Sequence, residues 1–123
     1  MLRLGSVVMG AEDVGRAAAF WAAVLSYDVV PLEGTANDFT IVRPPSLVGT
    51  RIGLQKAETP TQDEPRVHID LLVDSAAEQA SEVERLVSIG ATVVAWDGYP
   101  DDADFVVLAD TEGNRFCVVN ADE

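Results

Sequence analysis

The chain holds one histidine, His68, and two positions later an aspartate, Asp70. Residues two apart on an extended strand project from the same side, so this imidazole and carboxylate share a face. Such a couple reads as a general acid or base, as the survivor of a metal-binding set, or as a hydrogen-bonded pair with a structural job. The single cysteine, Cys117, alternates with Arg115 and Val119 on one side of its segment, while Phe116 and Val118 take the other. A thiol beside an arginine can act as a nucleophile, bind a soft metal or fill core volume. Arg51 and Gln55 share a face, and Arg66 lies on the side of His68. The three arginines Arg51, Arg66 and Arg115 either grip a carboxylate or phosphate by their fork geometry or pair with Asp70 and nearby acids. In Trp96-Asp97-Gly98-Tyr99-Pro100, followed by Asp101, Asp102 and Asp104, aromatics stand among acids. That pattern makes either a cation-attracting rim or a solvated acidic loop.

Hydrophobic periodicity sets the elements that must position these groups. Residues 4–9 read as a strand. Asp13 is a fitting N-cap for a helix that turns Val14, Ala17, Ala18, Trp21, Val24 and Leu25 inward. Strands follow at 27–32, 38–43 and 50–56, separated by the turn residues Glu33-Gly34-Thr35-Ala36-Asn37 and by Pro44-Pro45-Ser46 with Gly49. The order then repeats. Residues 66–73 carry the strongest strand pattern, with Val67, Ile69, Leu71 and Val73 toward the helix and Arg66, His68, Asp70 and Leu72 toward the other side. A helix over 75–89 turns Ala76, Ala80, Val83, Leu86 and Val87 inward and stops at Gly90. Three strands complete the set at 92–96, 104–109 and 114–119.

Val29-Val30 and Val93-Val94, and likewise Asp38-Phe39 and Asp104-Phe105, occupy matching places in the two halves. The plan is therefore α+β, an internal duplication of βαβββ, with module 1 at 1–57, a linker at 58–65 and module 2 at 66–123. Each sheet carries a helix on one face only. Two such modules side by side can curve into a half-barrel sheet with a concave cleft, and the residues singled out above fall on the cleft side.

Composition bounds the function. The chain has 123 residues and suits one domain, and 48% apolar residues suffice for a core despite a net charge of −13. Residues 1–64 hold 8 acidic and 5 basic side chains, and residues 65–123 hold 13 and 3, so the excess lies in the second half. That balance repels nucleic-acid phosphates. No apolar stretch reaches the roughly 20 residues of a membrane span, and one cysteine makes no internal disulfide, which suits the cytoplasm.

The sequence resembles the vicinal-oxygen-chelate superfamily and, within it, the glyoxalase-like domains. The likeness rests on Asp13 with Ala19-Phe20-Trp21 and Leu25, on His68-Ile69-Asp70, on Gly90-Ala91-Thr92-Val93-Val94, and on Asp110-Thr111-Glu112-Gly113-Asn114-Arg115-Phe116-Cys117-Val118. It covers essentially the whole chain, 1–123, as a single domain. It implies the glyoxalase/bleomycin resistance/dioxygenase fold and a homodimer. Thr111 departs from the proline usual there. Metal-dependent members place ligands at positions that look like Ser6, Gln55, His68 and Cys117. Only His68 keeps a family ligand type, so a divalent metal, if one binds, has His68 alone as its expected anchor.

This departure argues against lactoylglutathione lyase chemistry, which needs a metal-bound glutamate base. It also argues against extradiol dioxygenase chemistry, which needs two histidines in one triad. The expected function is binding of a small molecule, with no cofactor assigned, in a cleft formed by Ser6, Arg51, Gln55, Arg66, His68, Trp96, Tyr99, Arg115 and Cys117. Two alternatives stand beside it. One is a lyase or isomerase-type enzyme, with or without a metal, working through His68 and Asp70. The other is an acidic protein that sequesters a cationic, bleomycin-type antibiotic.

Overall fold

A computed structural model describes residues 1–31 and 38–121. The chain divides into two compact units, Met1–Pro60 and Thr61–Glu123. Each is a βαβββ module with its own four-stranded mixed sheet, so the α+β duplication legible in the sequence is present.

In the first unit β1 (Ser6–Ala11) leads to α1 (Val14–Leu25), then β2 (Asp28–Pro31), β3 (Phe39–Arg43) and β4 (Arg51–Lys56), in the sheet order β1-β4-β3-β2. Asp13 caps α1, its Oδ1 accepting the Arg16 N–H at 3.0 Å. The helix buries Val14, Ala17, Ala18, Phe20, Trp21 and Val24, adding Phe20 to the expected stripe and leaving Leu25 half-buried. Phe20 and Trp21 meet edge to face at 5.4 Å. Below the helix lie Thr40 and Val42 of β3 with Ile52 and Leu54 of β4. The first strand begins two residues later than expected. Leu32 and the turn residues Glu33-Gly34-Thr35-Ala36-Asn37 lie outside the described residues.

The second unit runs β5 (Asp70–Val73), α2 (Ala76–Ser88), β6 (Thr92–Val93), β7 (Phe105–Ala109) and β8 (Arg115–Asn120), in the order β5-β8-β7-β6. Three expectations are corrected here. The strand expected over 66–73 spans only Asp70–Val73, and Val67 is exposed rather than packed under the helix. Among the described residues β5 has β8 as its one sheet neighbour, and the pairing of Asp70 with Cys117 leaves residues before 68 facing positions upstream of β8's start at Arg115. Without a partner strand, a β-prone segment has no ladder to join.

The strand expected over 92–96 is two residues long. Val94 still donates to the Val107 carbonyl, but the Val107 N–H donates to the Tyr99 hydroxyl at 2.6 Å. A side-chain oxygen thus takes the place of the next strand carbonyl. The inward row of α2 is also rotated: Leu86 is buried and Gln79 and Val83 are half-buried, whereas Ala76, Ala80 and Val87 are exposed. Gln79 accounts for this, since its Nε2 donates to the backbone oxygens of Asp104 (2.9 Å) and Val118 (3.0 Å). Beyond Ser88 the helix closes as a Schellman motif. Gly90 at φ 123° donates to the Val87 oxygen, and Ala91 donates to that of Leu86. The β7–β8 turn is held by buried Asp110, whose Oδ1 accepts the N–H groups of Glu112 and Asn114, with Gly113 at φ 89°.

Candidate functional site

The face of the second sheet opposite α2 carries a cavity of about 610 Å³. Its floor follows from the strand register: Asp70 pairs with Cys117, Val107 with Cys117 on the other side, and Phe105 with Val119. Neighbours in register point the same way, so β5, β8 and β7 present Asp70, Cys117, Val107, Phe105 and Val119 together. Trp96 closes one wall from the loop after β6, and the 63–65 segment with His68 closes another.

His68 Nε2 lies 3.0 Å from Asp70 Oδ1, both side chains being about half exposed at 45% and 52%. The ligating atoms of His68, Asp70 and Cys117 fall within 4.8 Å of one another. Burial, then the Asp70 charge and the hydrogen bond that the thiol donates to it, push the Cys117 thiol up to about 11. At neutral pH it is a thiol rather than a thiolate, which weakens it as a nucleophile. Arg115 is engaged as well: Nη1 donates to the Asp63 backbone oxygen at 2.6 Å, and Nη2 stands 3.4 Å from Asp63 Oδ1.

Trp96 is fixed by its neighbours. It meets Tyr99 edge to face at 5.0 Å and Phe105 at 5.8 Å. Its six-membered ring folds over Gly98, where a Cβ would come within 2.6 Å of Cζ2. Glycine at 98 is what allows the ring to lie there.

The structure thus brings His68, Asp70, Trp96, Arg115 and Cys117 to one cavity. Tyr99 stands behind Trp96 rather than on the lining. Arg66 is exposed and off the lining, its backbone N–H donating to Gln62 Oε1 at 3.4 Å. Ser6, Arg51 and Gln55 belong to the first unit, where the register places them together on the sheet face opposite α1. There Arg51 Nε donates to the Gly5 oxygen at 3.4 Å. Sequence reasoning missed Phe105 and Val107, although their alternation with buried Leu108 marks the face. It also missed Asp63, Glu64 and Pro65, which read as a linker and carry no local signal of their contacts.

A family model for the glyoxalase-like domain matches residues 6–119. The chain belongs to that family. Among solved structures, a glyoxalase/bleomycin resistance protein/dioxygenase family enzyme from Burkholderia phytofirmans PsJN is 18% identical with a TM-score of 0.73, covering 97% of this chain and 98% of that one. The genomically encoded fosfomycin resistance protein FosX from Listeria monocytogenes is 12% identical with a TM-score of 0.72, over 97% and 91%. Lactoylglutathione lyase from Agrobacterium tumefaciens is 16% identical with a TM-score of 0.65, over 99% and 96%. At such identities these likenesses establish the glyoxalase-like fold. No functionally curated protein matches the chain. No helix among the described residues is long and apolar enough to cross a membrane.

The divalent metal of metal-dependent glyoxalase-like domains does not fit the donors present. On the second sheet stand an imidazole (His68) and a thiol (Cys117) pushed up to about 11. Asp70 adds one carboxylate, already bonded to His68. An oxygen-rich octahedral ion needs more hard donors than that.

Proposed function

We propose that this glyoxalase-like protein binds a small molecule in the second-unit cavity, without a complete metal site. The observation that carries the reading is the cavity itself: about 610 Å³ of space, walled by aromatic and aliphatic side chains, with His68 and Asp70 converging on it. Pockets of about 300–1,000 Å³ with few polar groups are the usual form of small-molecule sites. The lone buried thiol suits a reducing, cytoplasmic setting. Lactoylglutathione lyase chemistry is disfavoured, because the positions that the family resemblance implies as ligands, Ser6, Gln55, His68 and Cys117, include no carboxylate base. The test is a metabolite screen for saturable binding by the full chain, together with metal analysis of the purified protein. Saturable ligands lost in Trp96→Ala, with no stoichiometric metal, are expected. A divalent ion retained one per chain and lost in His68→Ala would overturn the metal-free part, and an empty screen would overturn the binding part.

The 3.0 Å His68–Asp70 contact favours a second reading, acid–base chemistry on the bound molecule. An imidazole held by a carboxylate at a cavity can exchange a proton with a ligand atom. Turnover of a screened ligand, abolished by His68→Ala with binding retained, would establish it; binding with no chemical change would dismiss it.

A further inference from the structure

We infer that residues 61–65 form a strap along one side of the second-unit cavity, and that Arg115 latches it and so governs the passage of small molecules. This rests on the cavity reading above and adds the device that opens and closes the space. Asp63, Glu64 and Pro65 wall the cavity, yet they belong to neither helix nor strand. Among the described residues, no backbone group of 61–65 pairs with another backbone group. This wall is therefore not held by a ladder or a helical turn, the usual anchors of a backbone segment.

Side chains hold it instead. Arg115, the first residue of β8, sends Nη1 to the Asp63 backbone oxygen at 2.6 Å, and its Nη2 stands 3.4 Å from Asp63 Oδ1. The Asp63 side chain is 92% exposed and that of Arg115 only 22%. Water screens the carboxylate contact, so the weight falls on the bond to the backbone oxygen. Thr61 settles over the β7–β8 turn, 3.4 Å from where a Cβ on Gly113 would stand. Gln62 Oε1 accepts the Arg66 N–H at 3.4 Å, a contact within the segment's own bend. One charge-assisted bond thus ties the strap to the sheet. A segment with so few anchors opens at low cost while the sheet beneath it stays folded. Arginine suits the task, because its guanidinium stays charged and its fork reaches two oxygens of one residue. Cys117, two residues along the same strand, lies on the floor that the strap borders, so it can report on entry.

The test reads entry into the full chain with two neutral thiol reagents, methyl and benzyl methanethiosulfonate, whose target is the single cysteine, Cys117. Nitrogen relaxation NMR reads the strap itself at Gln62, Asp63 and Glu64. The methyl groups of the buried Leu86 and Leu108 report on folding of the second unit. In Arg115→Met the order parameters of the three strap residues should fall from about 0.85 to below about 0.6. Benzyl labelling should rise about tenfold or more, the loss of one charged hydrogen bond, and methyl labelling by less, since a missing wall favours the bulkier reagent. Losing a positive charge would by itself disfavour the thiolate and slow both reagents, so acceleration reads access. Asp63→Ala keeps the backbone oxygen and should give the smaller rise. Should Arg115→Met disturb Leu86 and Leu108, Arg115→Lys carries the comparison. It has one donor group in place of the fork, and a rise of about threefold is expected. Unchanged order parameters or unchanged benzyl labelling in the folded variant would overturn the latch. A larger rise in Asp63→Ala than in Arg115→Met would overturn it as well. Both readouts are taken without a ligand, so an empty metabolite screen leaves the latch standing, and a failed latch leaves the binding reading to the screen.

Discussion

Cys117 owes its character to one register pair. Parallel pairing of β5 with β8 sets Asp70 beside it, and the floor of the cavity buries it to 8% exposure. Burial first, and the aspartate second, push the thiol from 9.0 to about 11. A thiol reacts as its thiolate, so the native protein should be alkylated by iodoacetamide at neutral pH far more slowly than the urea-unfolded chain, as mass spectrometry would show. Stability should follow the same titration. The unfolded chain loses this proton near pH 9 and the folded one near pH 11, so the contribution is complete below pH 9 and lost as pH rises between those values. Urea unfolding at about pH 8 and about pH 10.5 should show a loss of order 1–2 kcal/mol that Cys117→Ala does not show. Equal pH slopes in the two proteins would contradict the assignment.

At the scale of elements, side chains that finish backbone ladders position the cavity. Tyr99 ends β6 by accepting the Val107 N–H, and the same residue braces Trp96. Tyr99→Phe leaves that N–H, on a residue only 6% exposed, without its acceptor. A cost of about 1–3 kcal/mol in urea unfolding is expected, with weaker ligand binding from a looser Trp96. Gln79→Leu removes the donor to two strand carbonyls and should cost about the same, but with ligand binding little changed in the folded fraction. These details also show where sequence legibility ends. Asp13, the α1 stripe and Gly90 are local signals, each satisfied within a few residues of chain, and they could be read directly. The length of β5 depends on where β8 begins, that of β6 on a hydroxyl several residues on, and the face of α2 on a glutamine reaching across to two strands. Periodicity sees apolar residues and not hydrogen bonds, so it turns Ala76 and Ala80 inward where Gln79 points. The cavity was legible where alternation governs, at Asp70, Arg115 and Cys117. It was not legible at Asp63, whose partner lies 52 residues away.

For the molecule as a whole, a net charge of −13 means that carboxylates repel one another in the compact state more than in the expanded one. Salt screens this, so the melting temperature should rise by about 2–5 °C between about 10 and 300 mM NaCl. A fall over that range would point instead to stabilising ion pairs such as Arg85–Glu82, whose 2.8 Å contact is exposed. The duplication itself is chemically lopsided. By strand register Val8 and Gly53 of the first unit stand where Asp70 and Cys117 stand in the second, and Phe39 stands where Phe105 does. A Cβ at Gly53 would meet the Phe39 ring and Val8 at 3.1 Å, so bare backbone and apolar groups stand in the first sheet where the second presents a carboxylate and a thiol. The repeat has copied the scaffold without copying its reactive trio, so a diethyl pyrocarbonate or thiol-directed label should report on the second half of the polypeptide alone.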